Sequence, residues 1–351
     1  MKIAVLGCKW TTYDLLYDFE EYLGLSPTVV FSLPRAIADK NQVAGYAGEE
    51  LVGLCDQRDW PLEMVSSYNL AEGEDTVRFR NWEIDLLIVI GWERLIPESV
   101  LESLQMFACG MHGSAYGLPR GRGRSPLNWA LITHRTRFIT SLFRYTPGID
   151  DGDIIGSRTF EINLHDDIES LHLKNRISMS LLLKEYLPLI EHGVLNFVKQ
   201  PPGQPSYYPR RRPQDSLIDW SSSSQGIYDL IRAVSPPYPP AFCSYGGSRM
   251  DIISAHPFDA DLFPSSVIPG TIVERSITRD RLVVKTGDGS MLVRHFSGVP
   301  IERLTPGTRL MGGRRSAVLS DVFARYPSDL PSGQREVDWH TFGLPAPEND
   351  Q

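Results

Sequence analysis

Short runs of apolar residues alternate with longer amphipathic stretches over the first 200 residues of the chain. A continuous apolar run closed by Gly, such as Asp-Leu-Leu-Ile-Val-Ile-Gly at residues 85–91, is typical of a parallel strand buried on both faces. Amphipathic stretches between such runs are typical of helices that cover the strands. The alternation therefore predicts an α/β domain with a Rossmann-like doubly wound sheet. We predict strands at residues 2–7, 27–31 and 85–91, and helices at residues 12–22, 49–58 and 168–190.

The same pattern predicts the edge of the sheet and the position of a ligand site. Residues 137–145 alternate in part between polar and apolar positions, and residues 154–162 follow after a turn, which predicts a hairpin or two edge strands. Ligands of doubly wound sheets bind at the carboxyl ends of the strands, so we expect the segments after Gly91 and near Cys109 to line a site. The first strand is followed by Gly-Cys-Lys-Trp rather than by G-x-G-x-x-G, which disfavours an NAD enzyme.

A Pro-rich run at residues 201–213 separates this first domain from a second one, because such a run cannot sustain a helix. A helix is predicted at residues 221–233. Short strands are predicted at residues 270–274, 281–286 and 290–295, with Gly-Asp-Gly as the turn between the last two. The predicted segments are a first domain at residues 1–200, a Pro- and Arg-rich linker at 201–217, a small β-rich, OB-like domain at 218–312 and a partly irregular tail at 313–351.

Composition and charge narrow the class of protein. A chain of 351 residues with 42% apolar and 22% charged residues is typical of a folded protein with two domains. The formal net charge of −8 disfavours a protein whose whole surface coats nucleic acid or an anionic membrane. Four scattered cysteines without a Cys-x-x-Cys pair disfavour disulfides and a bound metal. The sequence has no signal-peptide pattern and no apolar run of about 18 residues, so we expect a cytoplasmic protein.

The candidate chemistry lies between residues 110 and 155. His112 follows a predicted strand, a loop rich in Gly and Arg comes next, and an acidic turn contains Asp150. A histidine at the carboxyl edge of a sheet can act as an acid or a base, and an aspartate can orient it. Each residue also has a structural interpretation, His112 as a hydrogen-bonded residue at a strand end and Asp150 as a turn residue. The loop lacks the Lys and the spacing of a Walker A motif, so its spacing alone favours a solvated loop over an anion site.

Taken together, these residues resemble the formyltransferases that use 10-formyltetrahydrofolate. That family includes glycinamide ribonucleotide transformylase, methionyl-tRNA formyltransferase and the sugar N-formyltransferases. Its motif is Asn-x-His-x-Ser, followed by Leu-Pro, by Arg-Gly and by a Leu/Ile-Asp-x-Gly turn. The residues that fill these places in order, from the His onward, are His112, Ser114, Leu118-Pro119, Arg122-Gly123 and Ile149-Asp150-Asp151-Gly152. The resemblance covers most of residues 1–310 and is weakest between residues 32 and 80.

The resemblance implies the formyltransferase fold, 10-formyltetrahydrofolate as co-substrate and no metal. It implies His112 and Asp150 as the catalytic residues. Residues 89–97, Val-Ile-Gly-Trp-Glu-Arg-Leu-Ile-Pro, are similar to the strand and loop that hold the pterin through main-chain groups in this family. The folate-binding residues implied are Gly91, Trp92, Arg94, Leu95, Ile96, Ser114, Pro147 and Ile149. The residues implied for the acceptor substrate are Gly110, Tyr116, Arg122, Arg124 and Asn128.

The sequence departs from the family motif at two points. The Asn of the motif falls on Gly110, which has no side chain, and the spacing from Ser114 to Leu-Pro is longer, which predicts a reshaped loop over the amine site. The resemblance implies that protonated His112 donates to the developing oxyanion and that Asp150 favours this cation and helps to relay the amine proton. The Asn supplies a second donor, whose loss typically costs about 10²–10³ in rate. We expect an active enzyme in which a water, a main-chain N–H or Asn128 substitutes.

Among amines, the residues favour a nucleotide-linked amino sugar. The run Arg-Gly-Arg-Ser-Pro-Leu-Asn-Trp at residues 122–129 and the Arg-rich linker look like those of the sugar enzymes. Residues 241–310 hold nearly equal numbers of acidic and basic residues, whereas a tRNA-binding domain should be basic. The alternatives are a methionyl-tRNA formyltransferase, a folate-binding protein without transferase activity, and an enzyme that hydrolyses formylfolate to formate. We expect no membrane partner, and the sequence leaves a homodimer open.

Overall fold

The structure, a computed structural model, describes residues 1–325 with the exception of residues 72 and 204. Residues 326–351, most of the tail predicted as partly irregular, lie outside the described residues. The chain divides into two compact units. The first unit consists of Met1–Arg122, Arg137–Phe160 and Leu173–Pro205, and the second consists of Gly123–Thr136, Glu161–His172 and the chain from Ser206 onward.

Strands and helices alternate over the first 191 residues, as the apolar pattern predicts. The strands are β1 (Ile3–Leu6), β2 (Val29–Ser32), β3 (Leu62–Met64), β4 (Leu86–Val89), β5 (Phe107–Ser114), β6 (Arg122–Gly123), β7 (Arg137–Arg144) and β8 (Ile154–Glu161). The helices are α1 (Trp10–Leu23), α2 (Arg35–Lys40), α3 (Gly48–Gln57), α4 (Gly73–Asn81), α5 (Glu98–Leu101), α6 (Pro126–Ile132) and α7 (Ile168–Glu191). The predicted elements are therefore confirmed with shifts of one or two residues at most ends, whereas β3, β6, α2, α4, α5 and α6 were not predicted.

The first unit is built on a seven-stranded sheet in the order β3-β2-β1-β4-β5-β7-β8. The strands from β3 to β5 are parallel, and β7 runs antiparallel to β5. The chain moves outward from β1 through β2 to β3 and then returns to β4 on the other side of β1. This reversal creates a switch point at the carboxyl ends of β1 and β4, where doubly wound sheets bind ligands. The segment after Gly91 lies at this point.

Two apolar cores cover the opposite faces of this sheet. Successive side chains of a strand point to opposite faces, and β1 accordingly places Ile3 and Val5 in one core and Ala4 and Leu6 in the other. The first core also contains buried residues of α1, α3 and α7, and the second contains buried residues of α2, α4 and α5. The prediction of a doubly wound α/β domain is therefore confirmed.

The elements of the rest of the chain are β9 (Tyr207–Tyr208), α8 (Ser224–Ala233), β10 (Ala241–Tyr245), β11 (Ser248–Pro257), β12 (Ile272–Ser276), β13 (Arg281–Lys285), β14 (Ser290–Ser297) and α9 (Arg315–Arg325). The second unit contains a separate five-stranded antiparallel sheet in the order β10-β11-β14-β13-β12. The turn between β13 and β14 is the predicted one, closed by a hydrogen bond from Thr286 N to Gly289 O at 2.9 Å. The prediction of a small β-rich domain is thus confirmed, although its first two strands were not predicted.

Each compact unit is made of three separate stretches of chain, whereas each predicted domain is one continuous stretch. The predicted domain limits stay a prediction. The stretch that contains α6 lies in the second unit, where Asn128 Nδ2 donates to Ala233 O at 2.7 Å and Trp129 Nε1 donates to Pro209 O at 2.9 Å. The stretch before α7 lies there too, because Arg232 Nη1 donates to Asn163 O and Asp166 O. These bonds join residues far apart in sequence, which the local pattern does not reveal.

In the described part of the chain, no helix combines the length and apolar character needed to span a bilayer.

Candidate active site

His112 lies on β5 beyond the end of the neighbouring parallel strand. The last residue of β4, Val89, pairs with Gly110, whereas His112 pairs only with Ser141 of the antiparallel strand β7. Because side chains two residues apart share a face of a strand, Gly110, His112 and Ser114 point to the same side. The histidine is therefore held at the carboxyl edge of the parallel strands, as the sequence predicts.

Both ring nitrogens of His112 have partners. Nε2 lies 2.7 Å from the carbonyl oxygen of Gly121, which can only accept, so this nitrogen carries a hydrogen and donates it. Nδ1 lies 3.4 Å from Oδ2 of Asp150. That distance is longer than a good hydrogen bond, and catalytic contacts often tighten only when substrate binds. The proton that His112 can take up or release is consequently the one at Nδ1, on the side of Asp150.

The loop after β5 is anchored by Ser114. Its Oγ donates to Arg120 O at 2.8 Å and accepts from the main-chain N–H groups of Tyr116 at 3.2 Å and Gly117 at 2.9 Å. These bonds curl the Gly-rich loop back toward the strand, so that Gly121 O reaches the ring of His112. The side chain of Ser114 is buried and saturated by its own loop. Its predicted role in folate binding stays a prediction.

Asp150 sits in a tight turn between β7 and β8 that is braced from outside. Its main chain has φ of +49°, a left-handed conformation that Asp tolerates better than most residues. Gln200 Nε2 donates to Asp150 O at 2.7 Å and to Gly152 O at 2.9 Å. A Cβ atom at Gly152 would lie 1.7 Å from Arg144 O, so the motif's glycine is needed for the turn to close on β7. The turn places the Asp150 carboxylate beside His112.

Arg122 completes this brace. Its Nη2 donates to Oε1 of Gln200 at 2.6 Å, and the residue is buried. The same glutamine side chain therefore links Arg122 to the main chain of the Asp150 turn. The sequence suggests Arg122 as a residue for the acceptor substrate; the structure gives it this contact with Gln200, and its role toward a substrate stays a prediction.

Gly110, the departure from the motif, lies against an aromatic ring. A Cβ atom at this position would lie 2.2 Å from Cε2 of Tyr145 and 2.8 Å from Val89 O, so no side chain fits there as the structure stands. Burial, and then the negative charge of Asp150, raise the pKa of Tyr145 above its usual range. The phenol is therefore neutral at physiological pH. The side-chain space that the motif gives to Asn is filled here by the ring of Tyr145.

The predicted folate loop lies at the switch point of the sheet. In the part of the chain that the structure describes, the main-chain N–H groups of Arg94, Leu95 and Ile96 have no hydrogen-bond partner. The buried indole N–H of Trp92 has none either, and its ring packs edge-on against Tyr68. The guanidinium of Arg94 lies over the Tyr68 ring at 4.6 Å, and Leu95 is half exposed. Together with Gly91, this loop offers main-chain donors and apolar surface to a ligand.

The other predicted site residues are distributed over both units. Pro147 and Ile149 lie in the Asp150 turn and are exposed or half-buried. Tyr116 lies in the Ser114 loop, where the guanidinium of Arg120 stacks over its ring at 4.7 Å. Arg124 and Asn128 belong to the second unit. The amide of Asn128 is buried and donates to Ala233 O at 2.7 Å, and its role toward a substrate stays a prediction.

The structure adds two residues that the sequence did not suggest. Gln200 comes from the chain after α7, and no local pattern connects it with the Asp150 turn. Tyr145 follows β7, and its position beside Gly110 depends on the antiparallel pairing of β5 and β7. Among the described residues, no group of three His, Cys, Asp or Glu side chains is placed to hold a metal ion.

Comparisons with known proteins identify relatives of both halves of the chain. A family model described as formyl transferase matches residues 31–183, and one described as formyl transferase, C-terminal domain, matches residues 211–298. Together the two matches span about two thirds of the chain. The family resemblance inferred from the sequence is therefore confirmed.

Solved structures share the fold at low sequence identity. An N-formyltransferase from Helicobacter canadensis, in complex with folinic acid and dTDP-3-aminofucose, has a TM-score of 0.59 and 16% identity over 85% of this chain and 100% of its own. WlaRD, a sugar 3N-formyl transferase in the presence of dTDP and 5-N-formyl-THF, has a TM-score of 0.59 and 17% identity over 84% of this chain and 97% of its own. HypX from Aquifex aeolicus, in complex with tetrahydrofolic acid, has a TM-score of 0.57 and 18% identity over 92% of this chain but only 47% of HypX.

Proposed function

Because the chain belongs to the formyl transferase family, we propose that it moves a formyl group from 10-formyltetrahydrofolate to the amine of a nucleotide-linked amino sugar. The observation that carries this proposal is the pairing of His112 with Asp150 at the carboxyl edge of the sheet, 3.4 Å apart. The motif residues meet there although 38 positions of sequence, including a loop and a helix, separate them. Such an arrangement of a base and an orienting carboxylate suits an acyl transfer to an amine.

The residues at the switch point fit a folate. Unpaired main-chain N–H groups at Arg94, Leu95 and Ile96 and the unpartnered indole N–H of Trp92 are donors without acceptors in the described chain. The Trp92 donor is buried, and a buried donor is costly unless a ligand or water satisfies it; a pterin carries ring nitrogens and a carbonyl that accept. The half-exposed side chain of Leu95 adds apolar surface next to them. We therefore assign this loop to the folate.

Bound 10-formyltetrahydrofolate supplies the formyl group, whose carbon exchanges its bond to N10 for a bond to the acceptor nitrogen while one proton leaves the amine and one reaches N10. The chain's own part is to hold and move these protons. Nε2 of His112 is fixed by Gly121 O, so Nδ1 takes up or gives back the proton. Asp150, next to Nδ1, stabilises the positive ring that results. The braced turn keeps the carboxylate in this position, and a catalytic group that is held in its reacting geometry lowers the barrier to formyl transfer.

The proposed class of acceptor rests on the ligands of two similar structures and on the charge of the second unit. The N-formyltransferase from Helicobacter canadensis was solved with dTDP-3-aminofucose and WlaRD with dTDP, and both match most of this chain. The second unit carries no excess of basic residues between positions 241 and 310, whereas a surface that binds tRNA needs one. Both observations favour a small nucleotide-linked substrate. They support an amino sugar as the class of acceptor.

The experiment that tests the proposal follows loss of the formyl group from a 10-formylfolate analogue by absorbance. Purified protein is mixed with the analogue and, in separate samples, with dTDP-, UDP- and GDP-linked amino sugars, with initiator methionyl-tRNA or with no acceptor. Turnover that requires one of the amino sugars is the expected result. Turnover only with tRNA, or equally fast turnover without any acceptor, would contradict the proposal. Binding of the analogue without turnover in any sample would identify a folate-binding protein instead.

A further inference from the structure

The position that the motif gives to Asn is closed in this protein by a second residue. Gly110 and His112 share one face of β5, so an Asn at position 110 would point to the same side as the histidine. A Cβ atom there would lie 2.2 Å from Cε2 and 3.1 Å from Cζ of Tyr145. Cζ is the ring atom that bears the hydroxyl. The phenol end of Tyr145 therefore lies in the direction in which an Asn side chain would extend.

The ring of Tyr145 is fixed in this place by the sheet. Its main-chain N–H donates to Ala108 O at 2.8 Å, which continues the pairing of β7 with β5 by one residue. The ring stacks on Phe143 with centroids 5.3 Å apart and also packs against the second core of the sheet. A side chain held from two sides in this way is preorganised, and preorganised donors are the ones that stabilise charge effectively during a reaction.

The hydroxyl of Tyr145 is available. Within the described residues it has no hydrogen-bond partner, although the ring that bears it is packed between Gly110 and Phe143. A phenol that stays neutral keeps its hydrogen and can donate it. The ring nitrogen Nε2 of His112, by contrast, is already bonded to Gly121 O. The protein therefore lacks the motif's Asn but presents an unused donor at the same position.

We propose that the Tyr145 hydroxyl donates a hydrogen bond to the formyl oxygen and replaces the side chain missing at Gly110. The inference rests on the proposed function, because it assigns a donor to the formyl group of the same folate. Tyr145 transfers no proton in this role. Its hydrogen bond strengthens as negative charge develops on the formyl oxygen, so it favours the transition state over the ground state.

The first test is spectroscopic and needs no acceptor. A 10-formyl-5,8-dideazafolate labelled with ¹³C in the formyl group is bound to the wild-type protein and to Tyr145→Phe, and isotope-edited infrared spectra give the formyl carbonyl frequency. A hydrogen bond lowers this frequency, so we expect the carbonyl band to move to higher frequency in Tyr145→Phe. Tyr228→Phe is the matched control, because its hydroxyl bonds to Leu164 O in the second unit. The same frequency in wild type and Tyr145→Phe would overturn the inference.

The second readout is kinetic and separates this inference from the proposed function. With the acceptor that the wild type uses, kcat of Tyr145→Phe should fall by about 10²–10³, which is the usual cost of losing one donor. The Kd of the analogue should change by less than about threefold. An unchanged kcat overturns the inference and leaves the proposed function standing. Failure of the wild-type protein to bind the analogue would overturn both. Tyr145→Phe keeps the ring, so it preserves the packing on Gly110 and Phe143 and tests the hydroxyl alone.

Discussion

Replacement of Gln200 by Met tests whether the brace behind the Asp150 turn matters for catalysis. Met has a similar length but neither donates nor accepts strongly. The change removes the bonds from Nε2 to Asp150 O at 2.7 Å and to Gly152 O at 2.9 Å, and the bond that Oε1 accepts from Arg122 at 2.6 Å. Two of these bonds are between neutral groups and one involves a charged donor. Their loss should lower the free energy of unfolding by about 2–4 kcal/mol.

The effect on catalysis follows from the position of the turn. Without the brace, the Asp150 carboxylate is no longer held beside Nδ1 of His112, and small misplacements of a catalytic group cost up to about 10²-fold in rate. We expect kcat to fall by roughly 10-fold to 10²-fold, with little change in the affinity for the folate analogue. The assay is steady-state formyl transfer with the best acceptor, together with urea unfolding of the same protein preparations.

Gln225→Met is the matched control, because Gln225 makes a single bond, from Nε2 to Asp229 Oδ1 at 2.9 Å, on α8 of the second unit. It should lower stability by about 1 kcal/mol and leave kcat unchanged. Arg122→Met should act on kcat as Gln200→Met does, and the two effects should not add because both break the same brace. A Gln200→Met enzyme with wild-type kcat would refute this reasoning. A rise in KM for the acceptor alone in Arg122→Met would return Arg122 to the substrate role.

Two further predictions concern the stability of the first unit and the reactivity of the cysteine thiols. Asp18→Ala should lower the free energy of unfolding, measured in urea, by about 2–4 kcal/mol, because the buried Asp18 carboxylate accepts from Arg176 Nη1 at 2.5 Å and from Ser180 Oγ at 2.6 Å. A loss below about 0.5 kcal/mol, the low end for a single hydrogen bond, would contradict this prediction. The four cysteines are buried, and burial raises their pKa to about 11 or 12, so at pH 8 a thiol reagent should modify the native protein far more slowly than the urea-unfolded protein. Rapid modification of any thiol in the native state would contradict that prediction.

The sequence was sufficient for the parallel part of the fold, because buried parallel strands produce continuous apolar runs. Residues 85–91 predict β4 (Leu86–Val89) for this reason, and the long helix α7 is found within one residue of its prediction. The hairpin of β10 and β11 was missed although Gly246 and Gly247 mark its turn. These strands are only partly buried, so their apolar residues alternate with polar ones over short stretches that resemble irregular chain.

The site was predictable as far as its residues follow a motif along the chain. The pair of His112 and Asp150 was named from the sequence, and the structure brings the two side chains together. Gln200 and Tyr145 were not named, because their places depend on contacts between segments that only the folded chain brings together. The amide of Asn128 is bonded to Ala233 O, which lies 105 positions away in the sequence. Local sequence does not show which partner a buried amide finds.

The most direct test of the account traces the formyl group itself. A ¹³C-formyl folate analogue is incubated with the amino-sugar acceptor and either the wild-type protein, His112→Ala or the control His192→Ala, whose exposed imidazole bonds to Pro188 O. Mass spectrometry then locates the label. We predict ¹³C-formyl on the acceptor nitrogen with the wild type and with His192→Ala, and almost none with His112→Ala although it still binds the analogue. Equal labelling of the acceptor by His112→Ala, or label found only as free formate, would contradict the account.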